Sequence, residues 1–140
     1  MSKPPLWFTL LAGLALLWNL AGLLAVVSDL RLSAADIAAL PVEQQAMYAA
    51  RPLWSVVASV IAVVGGTLGC LALLLRKRWS LALLYLSLVG VVFQDIGIFL
   101  ISGALRFGNP VALVLQSVVL AIAIGLIALA RRATARSWLS

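Results

Sequence analysis

The sequence predicts an all-α membrane protein: an antiparallel bundle of four transmembrane helices, with short amphipathic helices on the outer side between the first two. Three observations carry this. Of 140 residues, 65% are hydrophobic and only 10% charged, with a mean hydropathy of +1.19, whereas a soluble domain has about a quarter charged residues. Four apolar runs each approach the roughly 20 residues that a spanning helix needs. The basic residues flank those runs in short clusters, as orientation signals do.

The spans are expected at about 6–27, 53–75, 80–103 and 110–130, with an outer segment at 28–51, so that residues 1–140 form a single membrane domain. Pro5, Pro52 and Pro110 stand at or just before helix starts, where a missing N–H costs nothing. The first run is longer than the 7–15 residues of a signal-peptide core, and no convincing A-x-A site follows it, so it reads as a retained helix.

Lys and Arg decide the direction. One side carries Lys3, Arg76, Lys77, Arg78, Arg131, Arg132 and Arg136, and the other carries Arg31, Arg51 and Arg106. The short loops and the seven-to-three balance predict cytoplasmic N- and C-termini. The net charge of +6 is thereby explained as topology, and no aromatic-interleaved basic face suggests nucleic acid. The "LRKRWS" hairpin is the strongest inner anchor; its plain reading is a topology signal, with anionic lipid as a further ligand.

The outer segment has its own helix signals. Ser33-Ala34-Ala35-Asp36 approximates a capping box, with Asp in place of Glu. Pro41 opens a second short helix, Glu43 suits its first turn, and Arg51 before Pro52 marks its end. Helices at about 34–39 and 41–50 are expected to lie on the membrane or cap the bundle.

Lipid gives helices no hydrophobic reason to associate, so small residues that permit close backbone approach mark the packing faces. The second span offers Ala58, Ala62, Gly66 and Cys70 at four-residue spacing, with Gly65 and Gly69 beside them. The third offers Ser87, Gly90 and Gly97, and the fourth Ser117, Ala121 and Gly125. These ridges are read as contacts within the chain. Cys70, the only cysteine, is then a small packing residue, and no intrachain disulfide exists. Trp7, Trp54 and Trp79 fall at span ends and belong to the interfacial belt, whereas Trp18 lies mid-span beside Asn19.

Polar residues inside the spans are the candidate site. An Asp near a helix centre costs about 2.5–3.5 kcal/mol on the insertion scale, and the Leu, Ile, Phe and Val residues between Leu81 and Ile101 return roughly 4–8 kcal/mol, so the third span inserts despite Asp95. At 1.5 Å per residue, Asn19, Asp95 and Gln116 fall about 4–6 Å outward of their span centres. A buried layer of Asn19, Gln94, Asp95 and Gln116 is therefore expected, with Asp95 facing the bundle, either as hydrogen-bond glue or as a transport or proton-relay site.

Three stretches carry a resemblance. "LLWNLAG" at 16–22, "VEQQAMYAARPLW" at 42–54 and "GGTLGCLALLLRKRWS" at 65–80 resemble a family of small bacterial four-span membrane proteins of unknown function, some of which carry the label sugar transporter. The likeness covers most of the chain. It implies the four-span fold, and it implies Tyr or Asn in relatives where this chain has Gln94-Asp95, so a mechanism that needs Asp95 would not be family-wide.

The chain has no histidine, nucleotide motif or metal-ligand cluster, so no catalytic residue, metal or cofactor is expected. Asp29, Asp36, Glu43 and Tyr48 are dispersed on the outer side, as solvated loop residues are, and an enzyme is not expected. The expected function is that of a structural or accessory partner in a larger membrane assembly, with lipid, a second copy or a larger membrane protein as partner. The alternative is an oligomeric small-solute or proton-linked transporter built around the polar layer, since four spans are few for a substrate path.

Overall fold

The computed structural model describes residues 3–97 and 110–140, apart from the side chains of Glu43, Met47 and residues 110–112. The end of the expected third span and Arg106 lie outside the described residues. Among the described residues there are six helices and no strand: α1 (Leu6–Leu30), α2 (Ala34–Ala38), α3 (Val42–Ala50), α4 (Leu53–Leu74), α5 (Ser80–Asp95) and α6 (Pro110–Ala135). Three stretches, Leu6–Leu30, Leu53–Leu74 and Leu113–Ala135, are long and apolar enough to cross a membrane, and α5 is a shorter apolar helix. The protein is thus all-α and of membrane character.

Local chemistry explains the boundaries. Pro5 and Pro52 sit extended before α1 and α4, and the carbonyl of each accepts an N–H from the first turn, Phe8 at 3.1 Å and Ser55 at 3.1 Å. The helix α1 runs on through Ser28, Asp29 and Leu30, past the expected end at 27, because no Gly or Pro interrupts it there. The Ser33–Asp36 capping box forms reciprocally: Asp36 N–H donates to Ser33 Oγ at 3.1 Å and Ser33 N–H to Asp36 Oδ2 at 2.9 Å. The side chain of Gln45 donates to the carbonyls of Ala38 (3.1 Å) and Leu40 (2.7 Å), joining α3 to the end of α2.

The helices α4 and α6 end alike. Lys77 N–H reaches back to Ala72 O at 2.8 Å with Arg76 at φ 60°, and Trp138 N–H reaches Ala133 O at 2.9 Å with Ser137 at φ 58°. Both are six-to-one helix stops with a left-handed residue, and neither uses the glycine that such stops favour. The two stops bring their following strands of chain together. Arg78 N–H donates to Ser140 O (2.9 Å) and Ser140 N–H to Arg76 O (2.8 Å), while Arg76 Nε donates to Trp138 O (3.1 Å).

The long helices pack in series, α1 on α4, α4 on α5 and α5 on α6, while α1 and α6 meet through side chains at one end, where Phe8 and Ala12 share a core with Leu126 and Ile127 and Arg132 lies over the Trp7 ring. Among the described residues the bundle is therefore an arc that is loosest between α1 and α6. Its closest seam is α4–α5. A Cβ on Gly90 would stand 2.7 Å from Ala58 O and 2.8 Å from Ala62 N, and one on Gly65 would stand 3.2 Å from Leu83 O. Ser87 Oγ donates to Ala62 O across the same seam at 2.6 Å. Ala62 and Gly69 are also buried there, Gly69 against Leu84.

The fourth span departs from expectation. Ser117, Ala121 and Gly125 are exposed, and a Cβ on Gly125 would meet nothing within 4 Å. The buried face of α6 is instead Ala123, Leu126, Ile127, Ala130 and Ala133, nearly half a turn round the helix. Three of these five are alanines, so small residues still line the contact; Ala123 packs with Ala62 and Val91, and the other four join Phe8, Ala12, Cys70, Leu73, Leu84, Trp138 and Leu139 in a core at the end that holds the Arg76–Arg78 turn.

Candidate functional site

The arc leaves a cleft with α1 and α6 as walls and α4 and α5 as floor. Its volume is about 310 Å³, at the lower end of ligand-site sizes. Asn19, Gln94 and Gln116 all line it, with Trp18, Gly22, Ser87 and Val119 among the other lining residues. Three members of the expected polar layer thus share one space. Asp95 does not line it, because consecutive helix residues point about 100° apart and α5 turns Gln94 into the cleft. Asp95 is half-buried, with Oδ1 buried and without a hydrogen-bond partner among the described residues.

The three amides differ in how they are used. Asn19 is committed to helix packing: Nδ2 donates to Ala15 O (2.8 Å) and to Cys70 Sγ (3.4 Å), and Oδ1 lies over the bare backbone of Gly66. A side chain at Gly66 would fill the place of the Asn19 carbonyl and stand 3.1 Å from Ser87 Oγ. Gly66 therefore admits Asn19, and through it α1, to the surface of α4. Gln116 differs: its Oε1 is buried with no partner among the described residues. Burying an amide oxygen unpaired in an apolar medium costs on the order of 2 kcal/mol or more. Among the described residues no charged side chain lines the cleft.

The cleft has an apolar rim. Trp18 and Leu115 are exposed large apolar residues among its lining, and the same Trp18 borders a second groove between α1 and α6 nearer the buried core. The sequence marked Trp18 as a mid-span oddity; its place at the open seam is what its position in the chain could not reveal.

At the far end from the core, Asp29 on α1 accepts from Tyr48 Oη and, at 2.7 Å, from Arg51 Nη1, and the Arg51 guanidinium stacks over the Tyr48 ring at 4.9 Å. Burial first, and then the bond to Asp29, push the Tyr48 hydroxyl up to about 12. This lock fastens α3 and the start of α4 to α1. Asp29 and Tyr48 look dispersed in the sequence; the three-residue spacing of Tyr48 and Arg51, the residue that caps α3, is the signal that brings the two to one side of the helix end. Asp36 serves its cap, whose hydrogen bonds lower its pKa. Among the described residues no group of three or more His, Cys, Asp or Glu side chains could hold a metal ion.

Apolar helices of membrane-crossing length, small-residue seams and polar groups turned inward define an all-helical membrane protein. No family model, curated protein or solved structure matches this chain, and its function is argued from its own geometry.

Proposed function

We propose that this is a non-enzymatic four-span protein of a bacterial inner membrane, with cytoplasmic termini, akin to the small four-span proteins it resembles, and that it holds a small neutral solute in the cleft between α1 and α6. One observation carries the solute-binding reading: Asn19, Gln94 and Gln116 all line one cleft of about 310 Å³, and none of its described lining residues is charged. The test is native mass spectrometry of the protein released from nanodiscs. A non-covalent small-molecule adduct on the wild type, absent from Gln116→Leu, supports the reading; bare protein in both, with no solute that raises thermal stability, refutes it.

A second reading, an accessory partner of a second copy or a larger membrane protein, has its own support. Only 6% of the most apolar stretch of α1 is buried, against 44% of that of α4, so α1 has a wide face to offer another helix. A stoichiometric partner retained through gentle-detergent purification, and lost on substituting exposed α1 residues such as Leu17, favours this reading.

A further inference from the structure

We infer that the second groove between α1 and α6, the one nearer the buried core, holds one anionic phospholipid, with an acyl chain along the groove and the phosphate on Arg132. This goes beyond the solute cleft and does not depend on it. The groove is a trough with a closed floor. Ala15, Ile122, Leu126 and Leu129 line it, and all four belong to or pack against the core that holds Phe8, Ala12 and Ile127. It therefore lies on the outer side of the α1–α6 contact and is not a way into the bundle. On the α6 wall Gly125 leaves the backbone bare, since a Cβ there would meet nothing within 4 Å. The volume is about 580 Å³, ordinary for a small-molecule site.

Length and charge name the occupant. Trp7 and Trp18 both line the trough, and at 1.5 Å per residue they stand about 16 Å apart along α1. That is half of a hydrocarbon core of about 30 Å, the depth of one leaflet. An acyl chain that starts at Trp7 ends at Trp18, which gives the mid-span tryptophan a place at the chain's tip. Arg132 supplies the charge among the described lining residues. Its guanidinium lies over the Trp7 ring, 5.6 Å from the centroid, and that ring is braced edge-on by Trp138. The cation thus stands at the interfacial end of the trough. An aromatic face holds a cation without taking its N–H donors, and the guanidinium fork fits phosphate oxygens. Among the described residues no carboxylate pairs with Arg132. Asp29 and Asp95 fall at the far ends of α1 and α5, and Asp36 and Glu43 between α1 and α4, so all four acids of the chain lie toward the opposite end. Lys3, Arg131 and Arg136 share the end of Arg132. A headgroup with net negative charge is favoured there over one that brings its own cation.

The experiment titrates the full chain, delipidated in detergent, with phosphatidylglycerol or phosphatidylcholine of identical acyl chains, and counts bound lipids by native mass spectrometry. One phosphatidylglycerol is expected to bind at a concentration about tenfold lower than phosphatidylcholine, the discrimination that a charge-assisted hydrogen bond supplies. Arg132→Gln is expected to bring the two lipids level. Gly125→Leu fills the trough from a position that touches no other element, so it should remove the first bound lipid of either kind while the circular-dichroism melt stays that of the wild type. Gln116→Leu, which alters the cleft and not the trough, should leave the phospholipid in place, so that failure of this inference and failure of the solute reading are read separately. Equal binding of the two lipids by the wild type, a preference that survives Arg132→Gln, or a tightly held lipid that survives Gly125→Leu overturns the inference.

Discussion

Gly90→Ala and Gly125→Ala are the same chemical change, and the structure gives them opposite signs. In a helix interior, Ala is favoured over Gly by about 0.8–1 kcal/mol. At Gly125 nothing lies within 4 Å of the new methyl, so that gain stands almost alone. At Gly90 the methyl would sit 2.7 Å from Ala58 O, 2.8 Å from Ala62 N and 3.1 Å from Ala62 Cα, all backbone atoms that no rotamer can move. The helices α4 and α5 must part. A gap of roughly 0.5–1 Å forfeits a quarter to a half of each contact's dispersion energy along the seam, and overpacking of this kind costs about 1–3 kcal/mol. The Ser87–Ala62 hydrogen bond, 2.6 Å long, is stretched by the same movement, which adds about 0.6 kcal/mol. Net of propensity, Gly90→Ala should destabilise by about 1–2.5 kcal/mol and Gly125→Ala should be neutral or stabilising by up to about 1 kcal/mol. The assay is reversible unfolding in mixed micelles with increasing dodecyl sulfate, followed by far-ultraviolet circular dichroism. Equal stabilities for the two variants, or a more stable Gly90→Ala, would refute the close seam.

Other expectations follow from the same contacts. Gly66→Ala should cost less than Gly90→Ala, because the new methyl meets the end of the Asn19 side chain and not backbone; the same denaturant titration ranks them, and the reverse order counts against the Asn19 placement. Tyr48 should ionise near 12, against 10.0 for a free tyrosine, in an ultraviolet titration from which Tyr48→Phe removes that step. Since its folded-state value is raised, the stabilisation it gives is complete below the free value and disappears as pH climbs through the folded one, and a Tyr48 that titrates with free tyrosine sinks the outer lock. Trp138→Ala should cost about 3–5 kcal/mol, since Trp138 is buried against Trp7 and Phe8 with ring centroids 5.7 and 5.3 Å apart; a loss under about 1 kcal/mol would show that the C-terminal residues do not close the core. Single cysteines introduced by Gln44→Cys and Lys77→Cys in a Cys70→Ala background should react with a cytoplasm-confined reagent only at the second site, and the opposite pattern reverses the proposed orientation.

What the sequence disclosed and what it withheld divide along a physical line. Helix positions and caps were legible because the bilayer fixes length and because caps are local: Ser33 and Asp36 form their box with each other, whatever else the chain does. Rotation of one helix about its axis against another was not. Small-residue stripes look alike along α4 and α6, yet Gly65 and Gly66 are buried in seams while Ser117, Ala121 and Gly125 are bare. A stripe only permits close approach; which helix accepts the offer depends on every other face in competition for it. The same limit split the polar layer. Counting residues along each span gives depth, and depth grouped Asn19, Gln94, Asp95 and Gln116. Azimuth then put Gln94 in the cleft and Asp95 outside its lining. The cleft itself lies between α1 and α6, the two helices at the ends of the packing order, and no residue pattern in the sequence writes that gap. Its polar character has a cause all the same. Asn19 is drawn onto α4 by the bare backbone of Gly66, which holds α1 against α4.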